Sequence, residues 1–370
     1  MKITAAVIRE SMAPFSIETL EIDDPRADEV LVRIVGVGLC HTDLVAQAGA
    51  FPMTRPAVFG HEGAGIVERI GTGVTKVKPG DRVALTFLSC GHCPSCDDHA
   101  PAYCHSMPLL NYTGSRLDGS KTLREPGSNA PVSGSFFGQS SFASHALAQE
   151  RNLVKVPDGV PLEIAGTLGC GVQTGAGSVM RSMACRAGSS LLVLGGGTVG
   201  LSAVMGAAVQ GCKHIIVAEP HAARRQLALE LGATHAIDPR GIDLNEAVRA
   251  ILPAGVDYAF DTSGLPAVLE SAVTCLAPRG TLGFVGVPPM ESMGMKLPGT
   301  LLGAMGSGLT MRGIIEGDSE PDVFIPQLMS LYLEGRFPFD KLVATYPLAD
   351  INRAIKEQHE GRCIKPVLLV

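Results

Sequence analysis

Four cysteines in a short segment are the strongest chemical signal in this chain. Cys90, Cys93, Cys96 and Cys104 follow the spacing C-x2-C-x2-C-x7-C. Four thiolates fill the tetrahedral shell of a zinc ion and leave no position open for a substrate. The spacing therefore predicts a structural zinc site, with the catalytic chemistry elsewhere in the chain.

Two other ligand sets compete for this loop. An iron–sulfur cluster also binds four cysteines, but the bacterial ferredoxin run places its fourth cysteine closer to the third and follows it with proline. Here the last gap is x7, and His105 follows the fourth cysteine. His92, His99 and His105 are alternative zinc ligands, although four thiolates make the simpler shell.

A glycine-rich turn indicates a nucleotide site. Gly195, Gly197 and Gly200 form G-x-G-x-x-G after the apolar stretch 191–194, and a helical stretch begins near Thr198. In this context the first glycine makes the tight turn, the second lets the backbone approach a pyrophosphate, and the third allows close helix–strand packing. The helix N-terminus offers unpaired N–H groups to the phosphates. The alternative is a structural turn that binds nothing.

The residues after the next strand bear on which dinucleotide binds. Glu219 ends the apolar stretch 215–218. A carboxylate at this place hydrogen-bonds the ribose hydroxyls and repels a 2′-phosphate. Arg224 and Arg225 follow, and an arginine there favours NADP. We expect the carboxylate at the strand end to outweigh the arginines, which predicts NAD.

The elements that must position these residues are of two kinds. Residues 1 to about 170 are predicted to form short strands and loops, with strand candidates at 30–37 and 63–70 and a turn followed by a strand at 78–85. From about residue 172, apolar strands alternate with helical stretches, which predicts βαβ units and a parallel sheet. The strand candidates are 191–194, 214–219, 236–238, 258–261, 283–287 and 309–315, and helix candidates include 221–231 and 266–276. The tail, with a final strand at 361–370, is predicted to pair back with the first region.

Three further residues are candidate metal ligands that spacing alone does not support. Cys40 follows a predicted strand, while His61 and Cys170 lie far from it in the sequence. Taken singly, Cys170 is compatible with a small buried residue and His61 with a hydrogen-bonded loop histidine. The residues by themselves leave both interpretations open.

Five motifs together resemble the zinc-dependent medium-chain alcohol dehydrogenases. They are Cys-His-Thr-Asp at 40–43, Gly-His-Glu-Gly-Ala-Gly at 60–65, the four-cysteine segment, Gly-Cys-Gly-Val-Gln-Thr-Gly at 169–175 and the glycine turn at 195–200. They occur in the family's order across nearly the whole chain. The resemblance implies an α/β two-domain fold, with a GroES-like β-rich catalytic domain at 1–171 and 317–370 and a Rossmann doubly wound parallel-sheet domain at 172–316.

The resemblance also implies the roles of individual residues. Cys40, His61 and Cys170 match the ligands of a catalytic zinc with an open fourth position, which together with the four-cysteine site makes two zinc ions per chain. Asp43 matches a carboxylate that orients the ligand histidine, Glu62 a carboxylate near the metal, and Thr42 the hydroxyl that accepts the substrate proton. Contacts to the cofactor are implied for Gly195, Gly197, Thr198, Val199, Gly200, Glu219, Arg224, Thr174, His41 and Lys365.

Two positions depart from the family pattern. Many members have arginine after the first zinc ligand and histidine five residues after that ligand, but this chain has His41 and Val45. His41 is therefore expected to act either as the base of the proton relay or as a weak phosphate contact. The pair resembles the aryl-alcohol (benzyl-alcohol) dehydrogenase branch, with Phe87 and Leu110 as candidates for the substrate pocket or for the core.

The implied activity is the NAD-linked, reversible oxidation of a primary alcohol to an aldehyde. An aromatic or allylic alcohol such as benzyl alcohol is the expected substrate. The alternatives are aliphatic alcohols, in general or with long chains, and a class III-type formaldehyde adduct. Two other function classes are a zinc-free reductase of quinones or activated double bonds and a non-catalytic nucleotide-binding or zinc-binding module, neither of which needs an open metal site.

Composition narrows the partners and the compartment. The net charge is −6 and no basic run occurs, which argues against nucleic acid. The N-terminus has no apolar signal segment, so we expect a cytoplasmic protein with reduced cysteines. Residues 187–212 lack any charge, but a strand, a glycine turn and a buried helix explain them better than a membrane span. The resemblance implies a homodimer or homotetramer.

Overall fold

More than half of the strands lie before residue 156. The computed structural model describes residues 1–370 and contains eighteen strands. In chain order they are β1 Lys2–Ile8, β2 Ser16–Ile22, β3 Glu29–Gly38, β4 Ala57–Val58, β5 Gly63–Ile70, β6 Arg82–Leu85, β7 Leu123–Arg124, β8 Pro131–Val132, β9 His145–Gln149, β10 Leu153–Lys155, β11 Ser190–Leu194, β12 His214–Ala218, β13 His235–Ile237, β14 Val256–Asp261, β15 Leu276–Phe284, β16 Thr310–Gly313, β17 Val343–Pro347 and β18 Lys365–Leu369.

Most of the helices follow residue 160. In chain order the α-helices are α1 His41–Ala48, α2 Pro94–Asp97, α3 Met107–Tyr112, α4 Leu162–Ala165, α5 Gly171–Gly177, α6 Thr198–Gln210, α7 Ala222–Glu230, α8 Leu244–Ile251, α9 Pro266–Cys275, α10 Leu301–Ser307, α11 Pro321–Leu333 and α12 Ile351–His359. None of them is long and apolar enough to cross a membrane. The uncharged stretch 187–212 forms β11, the glycine turn and α6.

The chain forms two compact units. The first comprises Met1–Gly171, Glu320–Glu334 and Phe339–Val370, and the second comprises Val172–Ser319 and Gly335–Pro338. Every strand pair in the first unit is antiparallel except β17 with β18. Its larger sheet has the order β10-β6-β5-β3-β18-β17, with β9 also paired to β3.

Strand β3 is the centre of the larger sheet because its sequence suits burial on both faces. Val30, Leu31 and Val32 are fully buried, and β-branched residues of this kind favour a pleated, packed surface. The strand pairs with β5, β9 and β18 and ends at Gly38, two residues before Cys40. The predicted return of the tail to the first region is confirmed, since β18 lies beside β3.

The second unit contains a wholly parallel sheet with helices between its strands. Its order is β13-β12-β11-β14-β15-β16, which is the doubly wound 3-2-1-4-5-6 order of a dinucleotide-binding fold. Strand β11 is fully buried along its length. The predicted α/β fold class, with a β-rich catalytic domain and a doubly wound parallel sheet, is confirmed.

One predicted strand is misplaced. The fifth strand of the parallel sheet was expected at 283–287, but β15 spans Leu276–Phe284. Pro278 and Gly280 interrupt the apolar pattern at its start, and such residues disfavour a strand interior. The structure accommodates them by a register shift against β14 between Val256 and Tyr258.

Candidate functional site

The four cysteines of the predicted structural site lie together in the first unit. The Sγ atoms of Cys90, Cys93, Cys96 and Cys104 all lie within 4.8 Å of one another, and all ten cysteines are free thiols. Helix α2 begins directly after Cys93 and carries Cys96. Four converging thiols in one loop are the donor set that a tetrahedral zinc ion requires.

Backbone N–H groups donate hydrogen bonds to the sulfur atoms in this loop and so stabilise negative charge on them. The N–H of Cys90 donates to Cys104 Sγ at 3.2 Å, and that of His105 donates to Cys93 Sγ at 3.5 Å. The hydrogen bond from His105 is the main cause that lowers the pKa of Cys93 to about 6, whereas burial raises that of Cys104 to about 12. The N–H groups therefore favour thiolate in a site that a cation can complete.

The nearby histidines lie outside the ligand set. His99 is exposed and its Nδ1 lies 3.1 Å from Glu320 Oε1. The Nδ1 of His92 lies 2.8 Å from the Cys90 carbonyl oxygen. His105 contributes its backbone N–H to a thiol. The four-thiol arrangement therefore needs no histidine.

A second cluster joins residues that are remote in the sequence. One ligand atom from each of Cys40, His61, Glu62 and Cys170 lies within 4.8 Å of the others. Strand β3 ends just before Cys40, and strand β5 begins just after Glu62. Pairing of β3 with β5 places Val37 opposite Gly63, so the sheet register brings the two segments together.

Asp43 holds the Nδ1 atom of His61. Its carboxylate is fully buried and lies 2.9 Å from His61 Nδ1. It also accepts hydrogen bonds from the backbone N–H groups of Cys40 and Gly60, at 2.9 Å and 3.0 Å. Because Nδ1 faces Asp43, Nε2 is the nitrogen that is available to a metal, which is the arrangement found in metal-ligating histidines.

The surroundings of His61 Nε2 indicate whether a metal ion fits this cluster. It is buried and has no hydrogen-bond partner, which is costly for a polar atom unless a ligand binds it. It lies beside the thiols of Cys40 and Cys170 without hydrogen-bond geometry. Two thiols and one imidazole match the protein ligands of a catalytic zinc site, so the residues present fit the ion.

Interactions within the cluster shift the pKa values of the side chains that would bind a metal. A hydrogen bond with Cys170, opposed by burial and aided by His61, holds the pKa of Cys40 well below its usual range. Burial acts to lower the pKa of His61, but the Asp43 carboxylate and the Cys40 thiolate raise it well above the usual value. Metal binding here is therefore coupled to loss of a proton from the imidazole.

A buried ion pair borders the cluster. The Nζ of Lys365 donates to both oxygens of Glu62, at 2.8 Å and 2.6 Å, and to the Leu39 carbonyl at 3.2 Å. Burial raises the pKa of Glu62 although Lys365 opposes this. A Cβ atom on Gly38 would lie 1.9 Å from Glu62 Oε2, so glycine is required there to admit the pair.

Lys365 also has a partner that the resemblance did not imply. Its side chain is 2% exposed and is bonded to Glu62, so in this conformation its ammonium serves the metal cluster. The predicted pyrophosphate contact stays a prediction. Sequence reasoning missed the Glu62–Lys365 pair because its members are 303 residues apart and no local pattern links them.

Thr42 and His41 lie in the first turn of α1, next to the cluster. The hydroxyl of Thr42 lies 3.8 Å from Cys40 Sγ, which places it beside a candidate metal ligand. His41 is exposed. The two roles considered for His41, proton relay and phosphate contact, both stay predictions.

Aromatic rings surround His61 in the first unit. The ring of Phe137 is stacked on the imidazole at 4.5 Å, and that of Phe136 meets it edge to face at 5.6 Å. Tyr112 contacts Phe137 at 5.6 Å and stacks on Phe51 at 4.6 Å. Sequence reasoning missed this cluster, for which the adjacent Phe136 and Phe137 are the only local signal.

The aromatic residue that the sequence did single out is a core residue. Phe87 is 3% exposed and packs with Leu110 in the main hydrophobic core of the first unit. It forms no ring contact with His61. The rings that contact His61 are therefore supplied by another segment than the one that the sequence suggested.

The predicted nucleotide turn lies in the second unit, between β11 and α6. Gly195 has φ 104°, a left-handed value that favours glycine. A Cβ on Gly200 would lie 1.9 Å from the Gly195 carbonyl oxygen, whereas one on Gly197 would meet nothing within 4 Å. Gly200 thus allows close packing of the helix against the strand. Gly197 leaves open space at the N-terminus of α6, whose first two residues are Thr198 and Val199.

Glu219 borders a large cavity beside this turn. The carboxylate accepts hydrogen bonds from Gly196 N at 2.6 Å and from His221 N at 2.8 Å. The cavity measures about 920 Å³, and its lining includes Gly195, Glu219 and Arg224. Thr174 is buried in the same unit, and its hydroxyl lies 3.4 Å from Glu316 Oε2. Its predicted contact with the cofactor stays a prediction.

Comparison with protein families identifies both halves of the chain. Residues 26–158 match the model of the alcohol dehydrogenase GroES-like domain. Residues 198–333 match the model of a zinc-binding dehydrogenase domain. The first matched segment contains the four cysteines, and the second begins within the nucleotide turn and contains helix α6.

Individual relatives cover the full chain. Geraniol dehydrogenase from Castellaniella defragrans is 48% identical over 367 residues, which is 99% of this chain and 97% of the relative. A zinc-binding alcohol dehydrogenase domain protein from Burkholderia ambifaria is 50% identical with a TM-score of 0.97, covering 100% of this chain and 99% of that one. Benzyl alcohol dehydrogenase from Acinetobacter calcoaceticus is 39% identical with a TM-score of 0.95, again over 100% and 99%.

Proposed function

This chain belongs to the zinc-dependent alcohol dehydrogenase family, and on that basis we propose that it oxidises a primary alcohol with an aromatic or allylic carbon skeleton to the aldehyde. NAD is the proposed hydride acceptor and the reaction is reversible. The observation that carries the proposal is the buried cluster of Cys40, His61 and Cys170, in which His61 Nε2 has no hydrogen-bond partner.

The proposed catalytic zinc would be held by Cys40, His61 and Cys170. When bound, it polarises the hydroxyl oxygen of an alcohol and lowers the pKa of that hydroxyl. A second zinc would be held by the four cysteines between residues 90 and 104. Since Lys365 compensates the charge of Glu62, the two thiolates alone would balance a divalent ion at the first site.

The remaining steps belong to side chains of this protein. Asp43 sets the direction of the imidazole Nδ1 atom. The Thr42 hydroxyl, beside Cys40, would accept the proton of the substrate hydroxyl. The exposed His41 would pass that proton to solvent, since imidazole exchanges protons near neutral pH. The chain thus supplies a path for the proton that is separate from the hydride path to the nicotinamide.

NAD is proposed over NADP because of Glu219. A carboxylate at the end of the second strand of a doubly wound sheet suits two ribose hydroxyls and repels a 2′-phosphate. Glu219 occupies that place, and Arg224 lines the same cavity, where it would contact the ribose. The other proposed contacts come from the glycine turn, from Thr174, His41 and Lys365.

The proposed substrate class is supported by the names of two relatives and by the rings near His61. Geraniol and benzyl alcohol each carry a planar unsaturated carbon next to the hydroxyl-bearing carbon. Flat π-systems pack favourably against aromatic side chains, and Phe51 and Tyr112 are the partly exposed members of the cluster that reaches His61. An aliphatic alcohol would gain less from such neighbours.

Metal analysis combined with turnover assays tests the proposal. We expect two zinc ions per chain, and kcat/KM for benzyl alcohol and geraniol well above that for ethanol, with NAD favoured over NADP. Cys170→Ser should abolish turnover in a folded protein, whereas Cys96→Ser should reduce stability first. A protein without zinc, or one that prefers ethanol, would contradict the proposal. The reverse pattern of the two variants would mean that the metal sites are exchanged.

A homodimer in the cytoplasm is the proposed assembly and location. Strand β16 is an edge strand of the parallel sheet, and unpaired edges are usually covered. The preceding segment exposes apolar side chains, among them Leu297, Leu301, Leu302 and Met305 at 65–80% exposure. A second copy would cover both features.

A further inference from the structure

Phe137 is the aromatic residue in closest contact with the ligand histidine. Its ring centroid lies 4.5 Å from that of His61, with an angle of 30° between the planes. Phe136 meets the same imidazole edge to face, at 5.6 Å and 86°. Both phenylalanines are buried, at 3% and 0% exposure. The imidazole therefore has one stacked neighbour and one perpendicular neighbour in a region closed to solvent.

The backbone of Phe137 is unusual for so large a residue. It has φ 52° and ψ 33°, in the left-handed region that bulky side chains rarely adopt. A glycine would adopt this conformation without strain. Strain of this kind persists only where the surrounding contacts impose it, and it concentrates at functional sites.

The contacts that hold Phe137 are those of the ring cluster. Besides His61, its ring contacts Tyr112 at 5.6 Å and Phe136 at 4.8 Å. Its carbonyl accepts a hydrogen bond from the Asn152 side chain at 3.3 Å. The strained residue is thus fixed at both ends, with its ring directed onto the imidazole.

Asp43 alone does not fix the imidazole. One hydrogen bond to Nδ1 sets the direction of that nitrogen but leaves the ring free to tilt about the bond. A stacked ring restricts the tilt, because aromatic pairs prefer defined relative planes. Nε2 must keep its direction toward the thiols of Cys40 and Cys170 for all three atoms to ligate one ion.

We propose that Phe137 is a positioning residue for His61, whose strained backbone holds its ring against the imidazole so that Nε2 stays directed at the Cys40 and Cys170 thiols. The inference rests on the proposed metal site of Cys40, His61 and Cys170. It adds to that site a residue that acts on the metal through His61. Removing the ring should loosen the metal while leaving the fold intact.

The four-cysteine site supplies an internal reference for the test. The zinc-loaded full-length protein is challenged with a chelator, and the release of the two ions is followed as two phases, which are assigned with Cys170→Ser. In Phe137→Leu we expect release from the three-ligand site to be about 10-fold to 100-fold faster, the range typical for loss of a group that orients a metal ligand. Release from the four-cysteine site should not change.

Two further variants separate positioning from general packing. Phe142→Leu removes a buried ring that contacts Phe15 at 5.8 Å and has no ring contact with His61, so both release phases should stay as in the parent protein. Phe137→Gly removes the ring but suits the left-handed backbone, so it should fold even if Phe137→Leu does not. It should show the same selective release.

A cobalt-substituted protein gives a readout independent of turnover. The visible bands of the three-ligand site should shift or broaden in both Phe137 variants and not in Phe142→Leu. Equal acceleration of both release phases, no acceleration of either, or failure of Phe137→Gly to fold would overturn the proposal. If the parent protein binds zinc only at the four cysteines, the proposed function itself fails, which is a distinct result.

Discussion

At the scale of the residue, the metal cluster depends most on Asp43. One buried carboxylate accepts hydrogen bonds from the backbone at Cys40 and Gly60 and from the His61 ring. Two of the three candidate ligands are therefore held by the same side chain. An acidic residue in the first turn of α1 also complements the positive end of that helix.

Asp43→Asn should weaken metal binding without unfolding the protein. The amide would present N–H groups where backbone N–H donors already point, at a cost of about 1–3 kcal/mol for unsatisfied buried groups. Zinc affinity at the three-ligand site should fall by roughly 10-fold to 100-fold, as measured by competition with a chelator. Asp24→Asn is the matched control, because Asp24 is 80% exposed. An affinity unchanged in Asp43→Asn would contradict the role assigned to it.

Lys365→Met should destabilise the protein strongly, because it leaves the charge of Glu62 buried and unpaired. Breaking a buried pair in this way costs about 3–5 kcal/mol. Protonation of Glu62 removes the unpaired charge, so the loss should shrink as the pH is lowered. Denaturant unfolding at two pH values measures both effects.

The double variant Glu62→Gln with Lys365→Met should recover most of that loss, since no charge stays buried. As an exposed control, Lys76→Met removes the partner of Asp322, which is 53% exposed, and should change the free energy of unfolding by less than about 1 kcal/mol. Equal losses in the buried and exposed variants would show that Lys365 does not serve the cluster.

At the scale of the element, strand ends and helix starts carry the functional groups. Cys40 lies between β3 and α1, and the glycine turn lies between β11 and α6. The first turn of a helix has N–H groups without an intrahelical partner. In both sheets the functional residues therefore lie at the junction of a strand with a helix.

Gly197→Ala and Gly200→Ala should separate cofactor binding from stability. A Cβ on Gly200 would lie 1.9 Å from the Gly195 carbonyl, so this variant should lose about 1–3 kcal/mol by overpacking. Gly197 has φ −79°, and a methyl group there meets no protein atom within 4 Å. The Gly197→Ala variant should fold normally and bind NADH at least about 10-fold more weakly, since the backbone then cannot approach the pyrophosphate.

Thermal unfolding and NADH fluorescence titration compare the two glycine variants. The chain has no tryptophan, so the emission of the bound cofactor is free of interference from that residue. If Gly197→Ala binds NADH as the parent protein does, the turn does not hold the pyrophosphate. If Gly200→Ala is as stable as the parent, the close helix–strand contact does not limit packing.

At the scale of the whole molecule, the exposed edge of the parallel sheet is the feature that calls for a partner. Leu301 and Leu302 are each 80% exposed on α10, which precedes β16. Apolar side chains clustered at an unpaired edge mark an interaction surface. The proposed homodimer would bury them and extend the sheet.

Leu302→Lys should shift the protein from dimer to monomer, because a charge at the proposed interface opposes association. Light scattering coupled to size exclusion measures the mass directly. Leu117→Lys is the matched control, since Leu117 is 69% exposed in the first unit and should leave the mass unchanged. A parent protein that is monomeric would contradict the proposed assembly.

How far the sequence predicted the site depends on how local each part is. The four cysteines were correctly brought together from their spacing, and the glycine turn from its strand–helix context. The strand at Leu276–Phe284 was misplaced because Pro278 and Gly280 obscure its pattern. Cys40, His61 and Cys170 could be grouped only through the family resemblance, since each alone fits a structural role.

The sequence by itself therefore determined the parts whose geometry is local: a closed cysteine loop, a nucleotide turn and the alternation of strands and helices. Only the tertiary structure decided that Lys365 binds Glu62, that Asp43 serves two ligands and that Phe137 stacks on His61. The physical reason is that short spacings fix geometry through the backbone, whereas these contacts arise from sheet pairing and burial between distant segments. The pairing of β3 with β5 and β18 places those segments side by side.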